Sequence, residues 1–209
     1  MTPPGDVRSM ASLRLCRPGD PVLAPTSDLG VARSHIEAAL PGAPDHEAAR
    51  QRMLDFVDGH PGALHRSCVE GHLTGSAMVV DPESRRFLLM LHAKVGRWLQ
   101  PGGHADGDAA LPGVALKEAT EETGIEGLQV AVPAIDLDVH EFVAARELRH
   151  LHLDVRYVVL APPGAEPVRN HESRDLGWFT RDDLAGLGCD AGTVRLADRA
   201  LAALDNLTG

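Results

Sequence analysis

Lys117-Glu118-Ala119-Thr120-Glu121-Glu122-Thr123-Gly124-Ile125, preceded by Pro101-Gly102-Gly103-His104, is the stretch that decides how this chain is read. Glu118, Glu121 and Glu122 are spaced i, i+3, i+4, so on a helix they share one side. The helix reads as 111–122. Pro112 fits only its first turn, which puts the start near 109–111, and Gly124 is a natural residue to end it in the left-handed conformation. Glu118 and Glu122 fall on the stripe of Leu111 and Ala115, facing the protein or its edge. The carboxylates therefore gather at the C-terminal end, where the macrodipole is negative, and they repel one another. Lys117 can pair with Glu121 at i, i+4, but one ammonium does not neutralise three carboxylates. Local stability does not explain such an arrangement, whereas a divalent cation does. Mg2+ takes oxygen ligands and is held by one or two carboxylates together with substrate phosphates. An isolated triplet of this kind is more often a solvated charge run; its surroundings change the reading.

Outward from the helix, 100–108 is a Gly-rich loop in which Gly102 and Gly103 let the backbone approach a ligand. Upstream, 72–80 and 86–92 are short apolar strands separated by the turn signal Asp81-Pro82-Glu83-Ser84. Downstream, 127–132, 135–143 and 149–160 read as strands, the last two as a hairpin. A final helix is expected over 193–207, with Val194, Ala197, Leu201 and Leu204 at helical spacing. Before His65 the character differs. Prolines at 3, 4, 18, 21 and 25 block regular structure up to about residue 27. Thr26-Ser27-Asp28 then offers a cap for a helix to Leu40, and Asp45 caps another through Val57, with Met53, Phe56 and Val57 on its apolar face. The chain is thus expected to be a layered α/β/α sandwich with a mixed sheet. Residues 1–65 form a Pro-rich and helical extension, and 66–209 form the main domain. The extension is either a homodimer surface or a cover over the cleft.

The 209 residues carry 30 Asp+Glu against 20 Lys+Arg, a net charge of -10, which argues against a nucleic-acid partner. No run approaches the roughly 20 apolar residues of a membrane span, and the start of the chain has no secretory pattern. Three separated cysteines, Cys16, Cys68 and Cys189, suggest neither disulfides nor a zinc knot. A cytoplasmic location follows as an expectation.

From Gly103 to Ile125 the spacing resembles the Nudix box, G-x5-E-x7-R-E-U-x-E-E-x-G-U, where U is a bulky aliphatic. Trp98 to His104 resembles the family's lead-in, and Leu176-Gly177-Trp178-Phe179 its closing strand. Three positions depart: Ala109 stands at the first Glu, Lys117 at the Arg, and Ala119 at the first aliphatic. The resemblance implies a pyrophosphohydrolase that cuts a nucleoside diphosphate linked to another group, using Mg2+, with Mn2+ as a substitute. It implies Glu118, Glu121 and Glu122 as metal ligands and Glu121, Glu122 and Glu172 as catalytic carboxylates. Glu122 and Glu172 are the alternatives for the general base. Lys117 would orient the glutamates, and Gly102, Gly103, His104 and His152 would meet substrate. The family's substrate markers are not met: Glu141 and Phe142 occupy the positions of a Pro and a Tyr that mark two substrate groups. A catalytically silent nucleotide-binding or regulatory protein of the same fold is the alternative.

One further pattern stands apart. In His150-Leu151-His152-Leu153-Asp154, strand alternation places His150, His152 and Asp154 on one face. Strand register can bring His140 alongside. That face is a polar structural surface, the lining of the cleft, or a transition-metal site.

Overall fold

The longest apolar runs become the two central strands of a mixed sheet. A computed structural model describes residues 12–142, 149–171 and 173–208. In chain order the elements are β1 (Arg14–Cys16), α1 (Leu29–Ala38), α2 (Pro44–Gly59), β2 (Gly71–Asp81), β3 (Arg86–His92), β4 (Trp98–Leu99), β5 (Gly102–His104), α3 (Leu111–Thr123), β6 (Gln129–Val132), β7 (Asp136–Phe142), β8 (His150–Leu160), β9 (Ser173–Phe179), α4 (Asp183–Gly186) and α5 (Ala191–Thr208). The backbone of the sheet runs β1-β6-β8-β2-β3-β4. In addition β5 pairs with β2, β7 with β8 and β9 with β3. β2 and β8 are parallel over Gly71↔Leu151 to Val80↔Leu160, while β7 and β8 form the expected antiparallel pair.

Both faces of β2 are covered, which is why its residues are buried from end to end except Asp81. One face packs on α3. A Cβ on Gly75 would lie 3.0 Å from the Leu111 carbonyl oxygen, so glycine is what lets the helix approach. Leu73, Ala77 and Val79 join Leu111, Ala115 and Ala119 in this layer. On the other face Met78, Val80, Val158 and Leu160 pack against Leu196, Ala197, Ala200 and Leu204 of α5. Toward the start of β2 this second face turns polar, with His72, Thr74 and Ser76 buried on it.

Residues before 65 contribute to the same structure. β1 pairs antiparallel with β6, which is more order than the prolines led us to expect. Ile36, Met53 and Val57 lie in the core cluster that holds Leu73 and Tyr157, so their apolar faces are covered within the chain. Of Thr26, Ser27 and Asp28, the cap is Asp28, whose side chain accepts from the Gly30 N–H at 2.9 Å. Asp45 does not cap α2: the helix starts one residue earlier, with Pro44 in its first turn and Ala43 before it. The short strand β5 lies in what reads as loop, and β4 lies just before it.

Buried charge on the second face is matched locally. The Arg156 guanidinium, 4% exposed, donates to Asp154 at 2.6 Å and reaches Asp138 at 3.0 Å and Asp136 at 3.4 Å. The Thr74 and Ser76 hydroxyls both donate to Asp154 at 2.8 Å. Arg195 from α5 adds bonds to Asp136 and Asp138.

Candidate active site

The end of α3 meets β5. Gly124, with φ +66, closes the helix by donating its N–H to the Thr120 carbonyl at 2.9 Å. This fixes where the last-turn carboxylates stand. Glu122 is only 4% exposed, and the Gly102 backbone N–H donates to its Oε2 at 2.9 Å. Such a bond to a carboxylate partly replaces lost hydration. Glu118 rests against the neighbouring glycine: a Cβ on Gly103 would lie 2.4 Å from the Glu118 carboxyl carbon. The glycine pair is therefore the surface against which two of the three glutamates are set.

Glu121 points outward. The Lys117 ammonium donates to Glu121 Oε2 at 3.0 Å and to Glu118 Oε1 at 3.1 Å, bridging the two. The bond to Glu121, with that to Glu118, raises the Lys117 pKa against the opposing effect of burial. Three carboxylates with a cation between two of them form an oxygen donor set that fits a hard divalent ion. The carboxylates are not drawn into a single tight group here. Glu172 lies outside the described residues. The segment before it is tied to the end of α3 by Val168 N–H to the Thr123 carbonyl at 2.7 Å and Asn170 Nδ2 to the Glu121 carbonyl at 3.1 Å.

The departure at Ala109 falls in a packed setting. Ala109 is fully buried and donates its N–H to the Thr26 carbonyl at 2.6 Å. Asp108 accepts from Thr26 N–H and from Ala110 N–H. Asp106 takes a two-point bond from Arg66 at 2.7 Å. The N-terminal segment thus occupies the space beside this loop position, and both nearby carboxylates serve the loop.

His104 belongs to the other face of the sheet. There β2, β5 and β8 bring His72, His104, His150 and His152 together, one nitrogen of each lying within 4.8 Å of the others. Burial disfavours the charged form of three of them: the His152 pKa is pushed down to about 2 and that of His104 to about 4, and His72 is also lowered. His140 does stand alongside, opposite His152 in the strand register with ring centres 5.5 Å apart, but it is not one of the four converging residues. It bonds Asp138 at 2.8 Å; burial would lower its pKa, but Asp138 and the charge of Asp154 raise it on balance. Asp154, though on the predicted face, is engaged by Arg156, Thr74 and Ser76. Phe142 stacks on His152 with ring centres 4.7 Å apart. His72 is the residue that sequence reasoning passed over. The available signal was the polar series His72, Thr74 and Ser76 at period two inside an otherwise apolar strand.

A family model, NUDIX domain, matches residues 72–199, more than half of the chain. The chain belongs to the Nudix family of pyrophosphohydrolases. No curated protein sequence matches it. Among solved structures, a C. elegans Ap4A hydrolase binary complex shares 17% identity, with a TM-score of 0.53 over 64% of this chain and 97% of that one. The E. coli dihydroneopterin triphosphate pyrophosphohydrolase shares 15%, with a TM-score of 0.51 over 61% of this chain and 92% of that one. Both likenesses are of fold. No helix among the described residues is long and apolar enough to cross a membrane.

Proposed function

We propose that this chain hydrolyses the pyrophosphate bond of a nucleoside diphosphate linked to another group, with Mg2+ or Mn2+, and that residues 66–209 carry the reaction. The observation behind this reading is the setting of Glu118 and Glu122 against Gly103 and Gly102 at a helix end that disfavours carboxylates. Glu118, Glu121 and Glu122 are the residues that would hold the cation. A bound divalent ion neutralises phosphate charge and makes water a better nucleophile at neutral pH.

The chain's own groups have separable tasks. The Gly102 N–H fixes the direction of Glu122. Lys117 positions Glu118 and Glu121 by binding both, so it acts through them. A carboxylate receives the proton of the attacking water. Glu122 and Glu172 are the residues for that task, and substitution separates them. A site so poor in its own cations relies on the bound metal to reverse the local sign for a polyanionic substrate.

The test is a panel of nucleoside diphosphate derivatives with Mg2+ or Mn2+, scored by phosphate release after phosphatase treatment. Metal-dependent turnover abolished by Glu122→Gln supports the reading. Nucleotide binding with no turnover across a broad panel would instead indicate a silent, regulatory member of the family.

A further inference from the structure

We propose that His72, His104, His150 and His152 form a second metal site, specific for a borderline transition-metal ion such as Zn2+ and separate from the glutamate site. Four imidazoles from three strands converge with no carboxylate among their ligand atoms, all within 4.8 Å of one another. In tetrahedral zinc with bonds of about 2.0–2.1 Å, ligand nitrogens lie roughly 3.3 Å apart. The His150 and His152 Nε2 atoms are already 3.1 Å apart. Ring centres place the others nearby: His72 lies 4.8 Å from His104, 4.8 Å from His150 and 5.2 Å from His152.

A stack of neutral rings does not account for His72. It is 3% exposed, and both its ring nitrogens are buried without a partner at full hydrogen-bond geometry among the described residues, the Cys68 backbone being near enough only to oppose the effect of burial on its pKa. A buried polar atom left in this state is costly, and a histidine has at least one nitrogen with a lone pair to offer a metal. Donor chemistry sets the specificity. Imidazole suits zinc, copper, iron and nickel, whereas Mg2+ demands oxygen. The two sites therefore take different ions from one solution. They meet at β5, where Gly102 and Gly103 engage Glu122 and Glu118 while His104 projects to the opposite face. Four protein ligands make the imidazole site closed, and its effect is to clamp β2, β5 and β8 together.

The experiment uses the full chain, stripped of metal with a chelator and titrated with Zn2+ against a chromophoric chelator in millimolar Mg2+. One Zn2+ per chain is expected, with Kd below about 1 µM and a rise in melting temperature. Co2+ should give the strong visible absorption of a tetrahedral site. His72→Ala and His152→Ala should each weaken Zn2+ binding by at least about 100-fold. Should either fail to fold, the less buried His104→Gln and His150→Gln decide. The double variant Glu118→Gln/Glu122→Gln should still bind one Zn2+. Zinc that survives the histidine substitutions, zinc that is lost in the glutamate variant, or no zinc uptake by the folded chain overturns the proposal. Because each measurement reads metal and not turnover, its outcome is independent of the hydrolase reading.

Discussion

Replacing Gly103 by alanine separates the chemistry of the site from its stability. The added Cβ would lie 2.4 Å from the Glu118 carboxyl carbon and 2.6 Å from Oε2. An ordinary carbon contact is about 3.5 Å, so the carboxyl group must retreat by about 1 Å. What it meets is the far end of a flexible side chain, and Gly103 does not have a positive φ, so the backbone is not strained. Alanine also gains about 0.4–1 kcal/mol from a less disordered unfolded chain. Folding stability should therefore change by no more than about 1 kcal/mol, a melting shift below about 4 °C. A displacement of 1 Å in a positioned catalytic group costs about 100-fold in rate, or roughly 2.7 kcal/mol. The assay is steady-state turnover over a Mg2+ series, beside a thermal melt. Gly103→Ala should retain its melting temperature, lose about two orders of magnitude in kcat and require more Mg2+. A kcat within threefold of the parent, in a folded variant, would refute the placement of Glu118 in the site. Gly102→Ala provides the contrast: its Cβ would lie 2.4 Å from Ser76 Oγ and 3.0 Å from Ser76 Cα, a backbone atom, so stability should fall as well.

Glu121→Gln should weaken Mg2+ binding while moving the melting temperature of the metal-free chain by less than about 1 kcal/mol equivalent, because the carboxylate is 57% exposed and its pairing with Lys117 is a surface one. A clear loss of metal-free stability would contradict the repulsion argued for the helix end. Arg156→Met leaves the buried Asp154 without its cation and Asp136 and Asp138 with Arg195 in its place, and should cost about 3–5 kcal/mol by urea unfolding. A loss under about 1 kcal/mol would mean that solvent reaches the network. Burial by itself would raise the Asp136 pKa, but hydrogen bonds with His46 and Arg195 and the charge of Arg156 hold it below its ordinary 3.8. That contribution is complete above the unfolded value and is lost as pH falls through the lower folded one. Urea midpoints measured between about pH 5 and pH 2 should thus fall less steeply in Arg195→Gln than in the parent; identical slopes would remove Asp136 from the account.

The fold was legible where a residue pattern had one physical cause. The apolar runs of β2 and β3 are covered on both faces, and α3 announces itself through Pro112, the aliphatic stripe and Gly124. The strands β4 and β5 escaped notice because two or three residues carry no period; they exist through backbone pairing with β3 and β2. The cap of α2 was misplaced because Pro44, fitted to a first helical turn, took precedence over the Asp45 side chain. In the site, the glutamate spacing and the glycine pair were readable, since helical geometry is local. His72 was not, because its meeting with His152 depends on a parallel pairing that no local rule specifies. The Ala109 departure likewise needed the structure, which shows Thr26 taking up the adjoining backbone.

The same parallel pairing governs how the molecule is made. Thr74 and Asp154 touch across a sequence separation of 80 residues. The intervening segment contains β3, the glycine turn, α3 and β7. Closing so long a loop is entropically demanding, and the reward arrives only when the two strands lie side by side. During synthesis the glutamate helix and the glycine turn emerge well before β8 exists to complete the platform under them. Turnover in a refolding experiment should accordingly lag behind the recovery of helical signal, with the lag set by strand assembly and not by the local box.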